Sequence, residues 1–163
     1  MLKKSIIILV ILLSSLLVNT RYRKIEKQDN NILVVDDKFI NFYGYLSVPS
    51  INMYLGFYDF VNPLNNVDKN IEYINTGLDN VYLLAGHSGI GKNAYFNDLR
   101  YLKIDDDIYL EFENNTLHFK INNIYREIKN GQISIRKDEN QVILTTCDQI
   151  YKGYQLIIEG IMV

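Results

Sequence analysis

The sequence has no tryptophan, one cysteine, two histidines and two prolines among its 163 residues. A single cysteine cannot form an internal disulfide. The 17 basic and 19 acidic residues nearly balance and form no dominant basic block, which argues against a nucleic-acid partner. Asp105, Asp106, Asp107 and Glu113 are interpreted as a solvated loop rather than as metal ligands. We therefore expect no metal and no cofactor.

Residues 1–24 contain a hydrophobic run from Ile6 to Val18 with basic residues on both sides. Its 13 residues are fewer than the roughly 20 that span a bilayer comfortably, and are closer to the core of a signal peptide. The stretch before Arg21 lacks a small-residue cleavage site, however, and the flanking basic side chains can reach lipid headgroups. We favour an uncleaved, single-pass hydrophobic helix in the cell membrane over a cleaved signal peptide, with the domain on the extracytoplasmic side.

The remaining chain has the size of one domain. Residues 25–43 are charged and rich in asparagine, and we interpret them as a tether to a folded domain over residues 44–163. The 13 tyrosines, 7 phenylalanines and many β-branched residues favour strands. Short strands at intervals of about 8 to 12 residues predict a mainly β fold, either an antiparallel barrel or a sandwich.

The clearest local prediction is a hairpin, because residues 107–112 and 116–128 alternate around the turn residues 113–115. Further strands are predicted over residues 132–140, 141–147 and 154–163.

Three other local predictions depend on weaker patterns. Pro49 follows an alternating segment and suggests an edge strand or a strand start. Val67, Ile71 and Ile74 have helical spacing and predict a short helix within residues 66–75, and residues 93–102 predict a turn or short helix.

The glycine-rich turn Gly86–Asn93, with the sequence GHSGIGKN, differs by one residue from a nucleotide-binding P-loop. Asn93 stands where a serine or threonine hydroxyl would ligate magnesium. The strands that follow also predict none of the βαβ units on which such a loop is built. An exported domain would in addition have no nucleotide supply, so the P-loop is a disfavoured alternative.

His87 lies in the same turn, with small neighbours that leave it room to reach a groove. Cys147 ends the apolar segment QVILTTC, in which alternation places Val142 and Leu144 on one face and Cys147 on the other. A lone histidine is more often structural, and a lone cysteine more often a buried apolar residue. An outward thiol at a strand end beside a presented histidine nevertheless fits a nucleophile. His118, in mid-strand, is interpreted as solvated.

The segment AGHSG followed by YFNDLRYLKIDDDIYL, and later ILTTC followed by a terminal strand, resembles the sortases. These are membrane-anchored cysteine transpeptidases of Gram-positive bacteria. The resemblance extends from about Tyr45 to the C-terminus. Papain-like hydrolases place the cysteine before the histidine, the reverse of the order here. The resemblance implies a closed eight-stranded β-barrel with short helices, in which Cys147 and His87 flank a groove.

For function, the resemblance implies a transpeptidase of the hydrolase class that cleaves a C-terminal sorting motif of the LPXTG type between Thr and Gly. Cys147 would form a thioester acyl-enzyme and His87 would protonate the departing amine. The implied partners are exported proteins bearing the motif and an amine acceptor, either a cell-wall precursor or a pilin lysine.

The sequence departs from the family pattern at two positions. Ile143 replaces the first threonine of the T-L-x-T-C signature, and Gln155 aligns with an arginine that steadies the oxyanion and holds the peptide. Gln155 and Thr146 are the candidate substrate-binding or oxyanion residues. Lys152, Arg136 or Arg126 could substitute for the missing cation. A peptide-binding module without turnover is therefore the alternative function.

Overall fold

The computed structural model describes residues 42–163. The predicted anchor, residues 1–24, and all but the end of the predicted tether, residues 25–43, lie outside the described residues. No helix within residues 42–163 combines the length and the apolar composition needed to cross a membrane.

The described residues form a mainly β domain with two short 3-10 helices, Pro49–Ile51 and Asn97–Tyr101. The strands are β1 (Gly44–Val48), β2 (Met53–Phe57), β3 (Glu72–Ile74), β4 (Val81–Ala85), β5 (Asp107–Phe112), β6 (Asn115–Ile128), β7 (Gln141–Cys147) and β8 (Tyr154–Met162).

The strands pair in the order β2-β1-β5-β6-β8-β7-β4-β3, a single sheet that curls into a nearly closed barrel. The sequence predicted a closed barrel, but no pairing within residues 42–163 joins β2 to β3. The prediction of an antiparallel barrel or sandwich was wrong for one strand pair, because β4 and β7 run parallel. A parallel pair requires a long crossover, and here β5 and β6 supply it.

The barrel interior is filled by one face of the strands. These side chains form a hydrophobic cluster, whose fully buried members include Leu84, Phe119, Val142, Leu144 and Ile158. The alternation predicted for β7 is confirmed: Val142 and Leu144 point inward, while Ile143 joins a second cluster on the outer face.

The second cluster is covered by the connection between β6 and β7. Ile133 and Ile135 pack on Val81, Leu83 and Ile143 without pairing in a ladder. The prediction of a strand over residues 132–140 is therefore wrong. Its alternating isoleucines cover the barrel as an irregular segment, and they are only partly buried there.

The helix predicted within residues 66–75 is also wrong. Asparagine side chains bond the local backbone in its place: Asn66 Oδ1 accepts from the Asp68 N–H, and Asn65 exchanges two hydrogen bonds with Tyr73. Such bonds compete with a helical turn. Residues 72–74 then add β3 to the sheet.

Other local predictions were more accurate. The hairpin is confirmed, with β5 and β6 in register from Asp107 with Lys120 to Phe112 with Asn115. The short helix is confirmed as Asn97–Tyr101, which buries Leu99. The strand before Pro49 is not at an edge, because β1 lies between β2 and β5. Strand β2 carried no sequence prediction.

Candidate active site

The parallel pair β4–β7 places two sequence-distant segments at one end of the barrel. The register aligns Leu83 with Ile143 and Ala85 with Thr145. Two residues further, β4 leads to His87 and β7 ends at Cys147. Neighbouring strands lie about 4.8 Å apart, so the register brings these two residues to adjacent positions.

Hydrogen bonds hold the two strand ends together beyond the ladder. The Gly86 N–H donates to Thr145 O at 3.1 Å, and the Ser88 hydroxyl donates to the carbonyl of Cys147. The Phe96 N–H donates to His87 O at 3.0 Å. The backbone on both sides of His87 is therefore held relative to the backbone of Cys147.

Gly86 is needed at this junction because Phe96 packs directly on it. A Cβ built at position 86 would lie 2.8 Å from the Phe96 ring, closer than side chains tolerate. Phe96 itself is 1% exposed and belongs to the barrel core. The absence of a side chain at Gly86 therefore allows the loop that carries His87, the histidine loop, to pack directly against Phe96 in the core.

The thiol of Cys147 lies on the outer face of the barrel and is partly exposed. On the next strand, Gln155 is directly opposite Cys147, and Glu127 on β6 is directly opposite Gln155. These three residues form a row across β7, β8 and β6. Just beyond the row, Lys129 Nζ lies 3.2 Å from Cys147 Sγ.

His87 contacts a carboxylate rather than the sulfur. Its Nε2 lies 3.1 Å from Asp68 Oδ1, in the turn before β3. The His87 side chain is 44% exposed and that of Asp68 81% exposed, so the imidazole is accessible from solvent. The Asn93 amide also donates to the backbone carbonyl of Asp68, which ties this turn to the histidine loop.

A groove of about 730 Å³ runs along the same outer face. Its floor includes Leu83, Thr145 and Gln155, and its cover is residues 130–135. Most lining side chains are apolar or uncharged, and Glu127 is the charged one. Thr145 and Gln155 are neighbours of Cys147 in the sheet, whereas Cys147 itself lines a separate small pocket with Arg100, Arg126 and Asp148.

A Sortase domain model matches residues 46–163. The chain belongs to the sortase family. Sortases are cysteine transpeptidases, and the chain is a sortase-type transpeptidase in this general sense. The resemblance stated from AGHSG and ILTTC is confirmed.

Solved sortases have the same fold. Sortase C1 from Streptococcus suis is 21% identical with a TM-score of 0.65, covering 77% of this chain and 75% of that one. Sortase A from Listeria monocytogenes is 19% identical with a TM-score of 0.64, covering 75% and 87%. Sortase C1 from Streptococcus agalactiae is 25% identical with a TM-score of 0.63, covering 74% and 66%. No curated protein sequence matches the chain significantly.

Gln155, the predicted counterpart of the family arginine, is 7% exposed, and its amide nitrogen is engaged. Gln155 Nε2 donates to Glu127 Oε1 and to the carbonyl of Gln132, both at 2.9 Å. An amide nitrogen has two hydrogens, so both are used. Gln155 lines the groove, but it has no amide hydrogen left for an oxyanion in this arrangement.

Thr146 points into the barrel rather than into the groove. Its hydroxyl donates to Gly86 O at 2.7 Å, and the residue is 6% exposed. In the structure its hydroxyl therefore joins β7 to the histidine loop. In this orientation the Thr146 hydroxyl does not reach the groove on the outer face.

Two of the three proposed substitutes for the arginine are paired with carboxylates, although Arg126 lines the same small pocket as Cys147. Arg126 pairs with Asp148 and lies over the Tyr151 ring, and Arg136 pairs with Glu159 at 3.2 Å and with Glu139 at 3.3 Å. Lys152 is exposed in the β7–β8 turn. The cation beside the sulfur is Lys129, which sequence reasoning missed.

Nothing in the sequence marks Lys129, which is one of two basic residues in the segment YREIK. Its position follows from the pairing of β6 with β8, which ends at Ile128 and Tyr154. The approach of Lys129 to the sulfur could not be predicted from the sequence without knowing the β6–β8 register.

Asp148, next to the nucleophile candidate, organises the β7–β8 turn. Burial works to raise the pKa of Asp148, but the N–H groups of Tyr151 and Ile150 and the Arg126 guanidinium outweigh it and lower that pKa. The side chain is 2% exposed. An ionised carboxylate therefore fixes the turn that follows Cys147.

Proposed function

We propose that this sortase cleaves a C-terminal LPXTG-type sorting motif and transfers the protein to an amine. The observation that carries the proposal is the parallel β4–β7 register, because His87 and Cys147 each follow by two residues the paired Ala85 and Thr145, and Thr145 lines the groove. The mostly uncharged groove suits an extended peptide whose leading residues are apolar. The acceptor would be a cell-wall precursor or a pilin lysine.

The reaction proceeds in two halves. The Cys147 thiolate attacks the threonine carbonyl, and the Thr–Gly bond breaks as the His87 imidazolium gives its proton to the departing glycine nitrogen. The product is a thioester between Cys147 Sγ and the threonine carbonyl. An acceptor amine then attacks this carbonyl, its proton passes to His87, and the thiolate is released as the new amide forms.

We also propose that residues 1–24 keep the domain on the outer side of the cell membrane. The hydrophobic run and its basic flanks support this placement. Protease added to intact cells should then degrade the domain. A domain that is protected until the cells are lysed would contradict the placement.

The test of the reaction is intact-mass spectrometry of the purified full-length chain incubated with an LPXTG peptide. We expect a mass increase equal to the acyl fragment, absent from Cys147→Ala and present in His118→Ala, which alters the histidine distant from the thiol. Adding an amine acceptor should discharge the adduct and yield the ligated peptide.

A peptide-binding module without turnover is the second candidate, favoured by Gln155 in place of the arginine. It predicts that the peptide binds equally to the wild type and to Cys147→Ala, with no covalent adduct on either. Binding without an adduct at any peptide concentration would therefore replace the transpeptidase proposal.

A further inference from the structure

We propose that Lys129 is a catalytic residue of this sortase, the cation that pairs with the Cys147 thiolate in place of an arginine on the last strand. The inference rests on the proposed use of Cys147 as the nucleophile. It concerns the resting thiol, however, and can be tested without any sorting peptide.

The first argument is the contact itself. Lys129 Nζ lies 3.2 Å from Cys147 Sγ, within hydrogen-bond reach of a sulfur acceptor. Lysine carries three N–H donors and a positive charge, so it favours the ionised sulfur over the neutral one. His87, the other candidate partner, has its Nε2 on Asp68 instead.

The second argument is that the backbone fixes where this side chain starts. Lys129 N–H donates to Gly153 O at 2.9 Å, which extends the β6–β8 pairing by one step. Strand β8 separates β6 from β7. Because each strand spacing is about 4.8 Å, only a long side chain can cross β8 from β6 to a residue on β7.

The third argument is that the charge of Lys129 is not neutralised by a carboxylate. Lys129 forms no ion pair with any acidic side chain among residues 42–163. Glu127, two residues earlier, accepts from Gln155, and Asp148 pairs with Arg126. The ammonium is therefore available to the sulfur.

The chemistry needs no proton from Lys129. The Cys147 thiol loses its proton to His87 or to water, and the ammonium stays charged before and after. Besides Lys129, the charged or titratable groups on the elements around the thiol are His87 with Asp68, Asp148 with Arg126, Arg100 and Glu127.

The test measures the rate of iodoacetamide alkylation against pH, which is specific because the chain has one cysteine. The full-length wild type is compared with Lys129→Met, Lys129→Arg and Lys137→Met. Lys129→Met keeps the length but removes the charge. Lys137→Met is the matched control, because it removes an exposed lysine that precedes β7, at the opposite end of that strand from Cys147.

We expect Lys129→Met to be alkylated about tenfold more slowly at pH 7, with its profile displaced to higher pH. Lys129→Arg should keep most of the rate, and Lys137→Met should match the wild type. Equal profiles for Lys129→Met and the wild type would overturn the proposal, as would an identical loss in Lys129→Arg. Thermal unfolding of each variant shows that the compared proteins are folded.

This outcome is separable from the transpeptidase proposal. A displaced profile without any thioester on the sorting peptide would support the role of Lys129 while contradicting the proposed substrate. If the wild type and Lys129→Met form the thioester equally and have equal alkylation profiles, the reaction is supported and the proposed role of Lys129 is rejected.

Discussion

Two regions of the barrel each hold a histidine in contact with an aspartate. His87 follows β4 and lies 3.1 Å from Asp68, whereas His118 lies within β6, 2.7 Å from Asp107. Asp107 also accepts from Lys120 at 2.8 Å, and the His118 ring stacks on Tyr109 at 4.5 Å between centroids. We call the first region, with Cys147 and Asp148, the strand-end region and the second the hairpin region.

The comparison teaches that an imidazole–carboxylate contact is not by itself a site. The hairpin region has the shorter contact and an additional partner, Lys120, on the same carboxylate, and His118, predicted to be solvated, is 35% exposed there. The hairpin register nevertheless aligns His118 with Tyr109, whereas the parallel β4–β7 register and the Ser88 hydrogen bond hold the loop that carries His87 against the end of β7 at Cys147. Position in the sheet, rather than the strength of the pair, distinguishes them.

The sharpest test replaces each histidine in turn. His87→Ala should slow transfer from the sorting peptide by about 10²- to 10⁴-fold, because the leaving amine loses its proton donor. His118→Ala should stay within about twofold of the wild type. Steady-state kcat/KM for both variants checks this, and similar losses in the two would end the distinction between the regions.

The next test compares Asp148 with Asp107 by stability. Asp148→Ala removes the partner of Arg126 and of two backbone N–H groups, so we expect a loss of about 1 to 3 kcal/mol in the free energy of unfolding. Asp107→Ala should cost less, because the Asp107 side chain is 37% exposed and that of Asp148 only 2%. Urea unfolding of both variants provides the measurement.

The same pair gives a pH dependence. The pKa of Asp107 is lowered by the hydrogen bonds from Lys120 and His118, and that of Asp148 is also lowered. Each ionised carboxylate therefore contributes stability above about pH 4, and the contribution is lost as the pH falls through the lowered pKa. The difference in the free energy of unfolding between the wild type and each Asp→Ala variant should narrow as the pH falls below about 4. A gap that widens there would contradict the assigned ionisation.

The smallest effect is expected at the carboxylate beside His87. Asp68→Asn should lower kcat by no more than about fivefold, since an exposed pair contributes little and is screened by salt. Asp107→Asn should leave kcat unchanged. A loss at Asp68 as large as that of His87→Ala would mean that this carboxylate does more than orient the ring.

Part of this arrangement could be predicted from residue patterns. Alternation in residues 107–128 predicted the hairpin, and alternation in QVILTTC predicted the outward thiol, because a strand with one buried face leaves a period of two. The errors have a common cause. Residues 66–75 and 132–140 carry helical and strand periodicity, but asparagine bonds in one and packing on the barrel in the other override it.

The sequence alone determined the family, the mainly β class and the candidate nucleophile and histidine, because each depends on residues that are close in the chain. The tertiary structure decided the parallel β4–β7 pairing, the engagement of Gln155 and the approach of Lys129 to the sulfur. These depend on the register between strands far apart in sequence, which no local pattern records.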